Sequence, residues 1–174
     1  MLPKLDVPIY TIKLISNGQD VRIRPFLVKE QKLFLMAAES EDPKETINTI
    51  RQVLKNCVID EIDIDNLPTF DLEFLFMNLR ARSVEEVVQL KYKCNNDITD
   101  DKGETKKCAG SVDFSLNLLE IEPTKHEDHA TKFMLNEKIG ICLKYPTFEM
   151  IQNYENMDEN QILVNVLVDC IDYL

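Results

Sequence analysis

The feature that most constrains the fold is a change of hydrophobic period along the chain. Between residues 28 and 82 apolar side chains recur at helical spacing, as at Ile50, Leu54 and Cys57. From residue 88 onward they alternate with polar ones, as at Val88 and Leu90. A period of 3.6 predicts helices, and strict alternation predicts strands with one buried face. The pattern therefore predicts an α+β fold, with its helices and strands segregated along the sequence.

The N-terminal segment predicts a β-hairpin. Residues 9–15 and 21–26 are rich in strand-forming side chains and flank the polar stretch 16–19. This stretch contains Asn-Gly, which supplies the positive φ angles of a type I′ turn. In the second strand Arg22 and Arg24 alternate with apolar residues, so one face is expected to be basic and the other apolar.

Three helices are predicted after the hairpin, the first over residues 28–39 and the third over residues 69–82. The second has the clearest start signal. Asp42 is expected to be its N-cap, Pro43 its first helical residue, and Glu45 the partner in a capping box. The third helix is apolar nearly all round, which predicts burial on most sides.

The second half of the chain predicts strands and one more helix. Two antiparallel strands, residues 88–92 and 112–118, are joined by the long loop 94–111. A third strand is predicted at residues 139–145. The last helix is expected to begin at the N-cap Asp158.

Residues 1–86, with the hairpin and helices, and residues 87–174, with the strands and last helix, are expected to form one compact unit. The apolar stripe of the last helix reaches Leu174 without a stop signal. We therefore expect either that the natural chain continues or that this end docks on a partner.

The charge excludes two classes of partner as the default. The chain carries 20 basic and 31 acidic residues, for a net charge of −11. Nucleic acid and anionic membranes repel such a protein as a whole. The longest apolar-rich stretch, residues 162–174, contains acidic residues and is too short to span a bilayer. Charge is uneven, because residues 1–32 hold six basic and only three acidic side chains.

Two cysteines and two histidines are the candidates for a metal site. Cys94 and Cys108 bracket the long loop as zinc-ribbon ligands do, and His126 and His129 could complete a Cys₂His₂ set. Each cysteine lacks the second thiol of a Cys-x-x-Cys pair. Bound zinc, a degenerate ribbon held by hairpin pairing alone, and incidental cysteines all stay open. Five cysteines in all, an odd number, favour a reducing compartment.

No catalytic signature is present in the sequence. The glycines are isolated, so no phosphate-binding loop is formed, and no serine or cysteine sits in a nucleophile elbow. The acidic residues fall in expected loops and caps. We expect a non-enzymatic protein without a cofactor.

Several segments, in their order, resemble a family of T4-type bacteriophage baseplate proteins. They are residues 2–5 (LPKL), 21–32 (VRIRPFLVKEQK), 35–40 (LMAAES), 79–86 (LRARSVEE), 92–96 (YKCNN) and 143–147 (LKYPT). The resemblance implies a non-enzymatic baseplate hub subunit or hub assembly chaperone of a contractile-tailed phage. Its implied partners are other hub or tail proteins. Its implied location is the host cytoplasm during assembly, and the virion baseplate for a subunit that stays in the finished tail.

We predict that such contacts involve Arg22 and Arg24 on the basic strand, Lys29 at the start of the first helix, and Leu167 and Ile171 on the last helix. These residues follow from charge and exposure of an apolar end, not from the family. The alternative hypothesis is a small cysteine-containing adaptor that binds a metal or a host protein.

Overall fold

The computed structural model describes residues 6–40, 42–99, 105–154 and 157–173. Within these ranges the chain forms five α-helices, nine short strands and two 3₁₀ turns, so the α+β prediction is confirmed. The helices are α1 (Val28–Ser40), α2 (Pro43–Cys57), α3 (Thr69–Ser83), α4 (Phe148–Gln152) and α5 (Glu159–Asp169). The strands are β1 (Tyr10–Lys13), β2 (Asp20–Ile23), β3 (Val87–Lys93), β4 (Asp97–Thr99), β5 (Thr105–Lys107), β6 (Ser111–Asn117), β7 (Lys132–Met134), β8 (Gly140–Leu143) and β9 (Ile171–Tyr173).

The main hydrophobic core lies between the N-terminal hairpin and helices α2 and α3. Its members are almost fully withdrawn from water, and burying each such side chain stabilises the fold by about 1.5–3 kcal/mol. They are Ile12, Leu14, Val21, Ile23, Val53, Leu54, Cys57, Ile64, Leu72, Leu75 and Leu79. The apolar residues that alternate in β1 and β2 therefore pack in the same core as those that recur at helical spacing in α2 and α3.

The hairpin loop differs from the expected turn. The Leu14 N–H donates to the Gln19 carbonyl (2.9 Å), and the Gly18 N–H donates to the Leu14 carbonyl (3.0 Å). These bonds close a four-residue loop over residues 15–18, one residue earlier than the predicted stretch 16–19, and the prediction of a type I′ turn is wrong. Gly18 has the left-handed backbone conformation that the Asn-Gly pair predicted for it, with φ of 71°.

The start of α2 is as predicted in its main features. The Asp42 side chain accepts the Lys44 N–H (2.9 Å), and Pro43 is the first helical residue. The Asp42 N–H donates to Ser40 Oγ (3.4 Å) rather than closing a capping box with Glu45. Ser40, the last residue of α1, therefore takes the place at the Asp42 N–H that was expected for Glu45.

Strands β3 and β6 confirm the predicted antiparallel pair. Seven residues on each strand are in register, from Val87 opposite Asn117 to Lys93 opposite Ser111. The loop between them contains a second small hairpin, β4 with β5. On the apolar face of this pair Val88, Leu90 and Leu116 are half-buried, whereas Tyr92, Val112 and Phe114 are exposed.

The C-terminal part is a three-stranded antiparallel sheet with β8 between β7 and β9. The predicted third strand corresponds to β8, and Asp158 caps α5 by accepting the Asn160 and Gln161 N–H groups (3.0 Å each). The prediction of a helix to Leu174 is wrong, because α5 ends at Asp169. The Lys144 N–H donates to the Cys170 carbonyl (2.8 Å), and the following residues pair with β8. Sheet pairing thus overrides the helical period of the last residues.

The C-terminal part contacts the N-terminal core through α3. Pro68 forms an antiparallel bridge with Thr147, and the rings of Phe70 and Tyr145 meet edge to face with centroids 4.9 Å apart. Across the described ranges, no helix has the length and apolar character needed to cross a membrane.

Candidate partner-binding surfaces

The basic strand β2 is largely neutralised by intramolecular ion pairs. Two of the three guanidinium nitrogens of Arg22, Nε and Nη2, contact Asp60 Oδ1, at 2.9 and 2.6 Å. The Arg22 N–H also donates to Asp60 Oδ2 (2.6 Å). These hydrogen bonds hold the pKa of the Asp60 carboxyl below its ordinary value. Arg22 therefore joins β2 to the segment after α2, although its side chain remains more than half exposed.

Arg24 makes a buried contact with a carboxylate. Its Nη2 lies 3.1 Å from Oε1 of Glu30, whose side chain is fully buried. The same guanidinium donates to the carbonyls of Pro25 (2.9 Å) and Asn56 (2.8 Å). The Leu27 N–H donates to Glu30 Oε2 (2.8 Å). Arg24 thus connects β2, the start of α1 and the end of α2.

The environment of Glu30 keeps this carboxyl ionised. Burial alone would raise its pKa, but hydrogen bonds from Arg24, the Leu27 N–H and Lys29 together hold the pKa below its ordinary value. Lys29 Nζ lies 3.3 Å from Glu30 Oε1, and its side chain is 68% exposed. Of the three predicted contact residues on this strand and helix, Lys29 presents the most exposed charge. Their role in partner binding stays a prediction.

The exposed face of α5 is strongly apolar. Leu163, Val164, Leu167 and Val168 are between 51% and 60% exposed. Their spacing of one, three and one residues places them on one side of the helix. Ile171, predicted on the same helical stripe as Leu167, lies instead on β9 and is 38% exposed. Sequence reasoning identified Leu167 but not its three neighbours. The signal that was available for them is that apolar residues lie on two faces of α5, which is more than one buried face requires.

The orientation of α5 is fixed at its far end. The Tyr154 hydroxyl donates to Asp169 Oδ2 (2.7 Å), which raises the pKa of this phenol. Cys170 is buried directly after the helix, and burial raises the pKa of its thiol. We name the side chains of Leu163, Val164, Leu167 and Val168 the α5 face.

A second apolar surface lies on the β3–β6 pair. The rings of Tyr92 and Phe114 approach with centroids 5.5 Å apart, and Val112 is 67% exposed. Alternation along the two strands suggested a buried face here. Few neighbouring elements reach this end of the pair, so the face remains accessible.

The predicted metal ligands fall into two separate places. Cys94 and Cys108 flank Gly110, whose N–H donates to Cys108 Sγ (3.4 Å). His129 Nε2 lies 2.8 Å from the Tyr145 hydroxyl, in another cavity together with His126. In the part of the chain that the structure describes, no three His, Cys, Asp or Glu side chains are grouped to hold a metal ion. The pairing of β3 with β6 places the two cysteines close to each other.

Comparison with known protein families supplies the assignment. Residues 7–174 match the family model described as T4 bacteriophage base plate protein. The chain belongs to this family. No curated protein and no solved structure matches the chain significantly. The resemblance of the sequence segments to baseplate proteins is thereby confirmed.

Family membership gives the chain a structural role in the phage tail baseplate. Its partners are accordingly other tail and baseplate proteins. The part of Arg22, Arg24, Lys29, Leu167 and Ile171 in such contacts stays a prediction.

Proposed function

We propose that this protein acts without catalysis or a cofactor in building the baseplate hub of a contractile-tailed phage. It acts by binding other hub or tail proteins in the cytoplasm of the infected cell. The hub assignment is supported by the resemblance of its sequence segments to baseplate hub proteins. The same binding serves a subunit that stays in the virion or a chaperone that leaves it.

The α5 face is the observation that carries this proposal. Four large aliphatic side chains on one side of a helix remain more than half exposed. A contiguous apolar surface rimmed by polar residues is typical of a protein–protein contact site. The helix is anchored by its Asp158 cap and by the Tyr154–Asp169 hydrogen bond, so the face is presented in a fixed orientation.

Charge supports proteins as the partners. The net charge of −11 opposes binding to nucleic acid as a whole. Arg22 on β2 and Arg24 directly after it are engaged by Asp60 and Glu30, so they do not form a free cationic surface for phosphates. This arrangement favours hydrophobic contacts with a protein over electrostatic contacts with a polyanion.

The test is co-purification with the other hub and tail proteins of the same phage. We expect Leu163→Glu with Leu167→Glu to abolish stable complexes on a sizing column, because two charges would be buried in an apolar contact. The matched control is Gln31→Glu with Gln52→Glu, which adds the same charge at exposed positions of α1 and α2, away from the α5 face. The control should retain the complexes. Equal complex formation by both double variants, each folded by circular dichroism, would refute the role of the α5 face.

A second measurement separates the two forms of the proposal. Mass spectrometry of purified virions and infected-cell lysate quantifies the protein in both. A fixed copy number in virions identifies a hub subunit. Abundance in the lysate and absence from virions identifies an assembly chaperone.

A further inference from the structure

A cationic groove lies against the N-terminal hairpin. It encloses about 800 Å³ between β1, helix α3 and the loop at residues 123–129. Phe70 and Phe74 form part of an apolar wall, while Lys13, Arg82 and Lys125 contribute positive charge. Among the described residues that line it, none is Asp or Glu. In a protein with a net charge of −11, this groove is a local exception.

One wall of the groove is the outer edge of β1. The opposite side of the hairpin is already covered, because the Ile59 N–H donates to the Arg22 carbonyl (2.9 Å) and the Arg24 N–H donates to the Cys57 carbonyl (2.9 Å). The main-chain groups of Arg22 therefore point away from β1. In the antiparallel register Thr11 lies opposite Arg22.

This register fixes the direction of the β1 main chain. Residue pairs in an antiparallel ladder alternate between hydrogen-bonded and non-hydrogen-bonded. Thr11 and Arg22 form a non-hydrogen-bonded pair, so the N–H and carbonyl groups of Thr11 and Lys13 face away from β2. The Leu14 N–H donates to the Gln19 carbonyl, so this pair is hydrogen-bonded, as the alternation along the ladder requires. In the described ranges no partner is recorded for the outward groups of Thr11 and Lys13.

The chain itself shows how this edge accepts a partner. The next outward donor, the Ile15 N–H, is bound by Asp71 Oδ1 at 2.7 Å, and the Ser16 N–H is bound by the same oxygen at 3.2 Å. A carboxylate from α3 thus occupies the end of the edge. The rest of the edge presents alternating donors and acceptors, which form a template for another strand.

A cation at the groove also lacks a full set of partners. The Arg82 guanidinium lies over the Tyr10 ring, with 4.2 Å between its Cζ and the ring centroid. Its Nε is buried without a hydrogen-bond acceptor in the described structure. An acidic side chain in the groove would lie beside a guanidinium that makes no ion pair within the described residues.

We propose that the outer edge of β1 binds an extended acidic segment of a partner protein by strand addition. The main chain of that segment pairs with Thr11 and Lys13, and its carboxylates face Lys13, Arg82 and Lys125. Strand addition draws its affinity from main-chain bonds and its selectivity from the side chains beside the edge. The binding surface is separate from the α5 face. The inference rests on the proposed function only for the statement that the partner is a baseplate protein.

The test uses the full chain labelled with ¹⁵N and a probe peptide of alternating valine and glutamate, capped at both ends. We expect the Thr11 and Lys13 amide signals to shift on titration, with a Kd at or below about 1 mM. Peptides with glutamine or lysine in place of glutamate are the charge controls. Each should bind at least about tenfold more weakly, since they lose the attraction to the three cations.

Thr11→Pro and Thr11→Val form a matched pair of variants. Proline removes the outward N–H, and a proline on a strand edge leaves the ladder to the inner neighbour intact. Valine keeps the N–H. We expect Thr11→Pro to lose the binding and Thr11→Val to keep it, with both variants folded. Lys13→Gln with Lys125→Gln should weaken binding by about fivefold to tenfold.

Three results would overturn the inference. They are unshifted Thr11 and Lys13 amides at millimolar peptide, equal binding by the lysine peptide, and equal binding by the two Thr11 variants. If these amide signals shift with protein concentration in the absence of peptide, the strand that adds to β1 is a second copy of the chain rather than a segment of a partner protein. The peptide titration is independent of Leu163 and Leu167, so failure at the α5 face and failure at the groove are distinguishable.

Discussion

Replacing Arg24 by methionine tests whether this arginine is part of the fold. Arg24→Met leaves the Glu30 carboxylate, which is fully buried, without its guanidinium partner at 3.1 Å. Removing one member of a buried ion pair costs about 3–5 kcal/mol, because the other charge stays buried without compensation. Lys29 still faces the carboxylate at 3.3 Å. We therefore expect the free energy of unfolding to fall by about 2–4 kcal/mol.

The assay is urea unfolding followed by circular dichroism at neutral pH, with the free energy obtained by linear extrapolation. The control is Lys29→Met, which removes a charge of the same sign from an exposed side chain and should cost about 0–1 kcal/mol. Equal losses for the two variants would refute the assignment of Arg24 to the fold. So would a loss below about 1 kcal/mol for Arg24→Met.

The pH dependence of this loss has a defined sign. The pKa of Glu30 is lowered from 4.5 in the folded protein, so its ionised form stabilises the fold above pH 4.5. This stabilisation is lost as the pH falls through the lowered pKa. The penalty of Arg24→Met should accordingly shrink below pH 4.5, because protonation removes the uncompensated charge. A penalty that is unchanged in acid would contradict this origin.

Three further predictions concern single side chains. Asp71→Ala leaves two main-chain N–H groups of the hairpin loop without their acceptor, so it should lower the free energy of unfolding by about 1–3 kcal/mol. Asp71→Asn keeps an acceptor and should lower it less, and thermal and urea unfolding of the two variants check this. Cys57 is buried and its pKa is raised to about 11, so iodoacetamide at mildly alkaline pH should label Cys94 and Cys108 well before Cys57, as peptide mass spectrometry would show. Gly18→Ala has room for its methyl group but must hold φ at 71°, so we expect a loss of about 1 kcal/mol, and an unchanged melting temperature would argue against this backbone conformation.

Local signals in the sequence predicted most of the helices and strands. The Asp42–Pro43 start of α2 and the Asp158 cap of α5 are both confirmed. They could be predicted because each depends only on neighbouring residues. The pairing of β3 with β6 follows from alternation on both strands. These features require no knowledge of the distant chain.

The features that the sequence did not reveal depend on distant contacts. Strand β9 forms because its main chain pairs with β8, about thirty residues earlier, and this pairing outweighs the helical period. The Asp71 contact with the hairpin loop spans 55 and 56 residues. No local pattern marks either of them.

The candidate site shows the same division. Basic residues on β2 could be identified from alternation, but their intramolecular partners Asp60 and Glu30 could not. Leu167 was identified because the helical stripe of α5 is visible in the sequence. The exposure of the α5 face depends on which elements cover the helix, and that is a property of the folded chain.

The most direct test of the central claim is baseplate formation in a phage that lacks this gene. Negative-stain electron microscopy of infected-cell lysates would count complete baseplates with no complementation, with the wild-type chain, and with Leu163→Glu/Leu167→Glu. We predict complete baseplates only with the wild-type chain. Normal baseplates in the absence of the gene would contradict a role in building the hub.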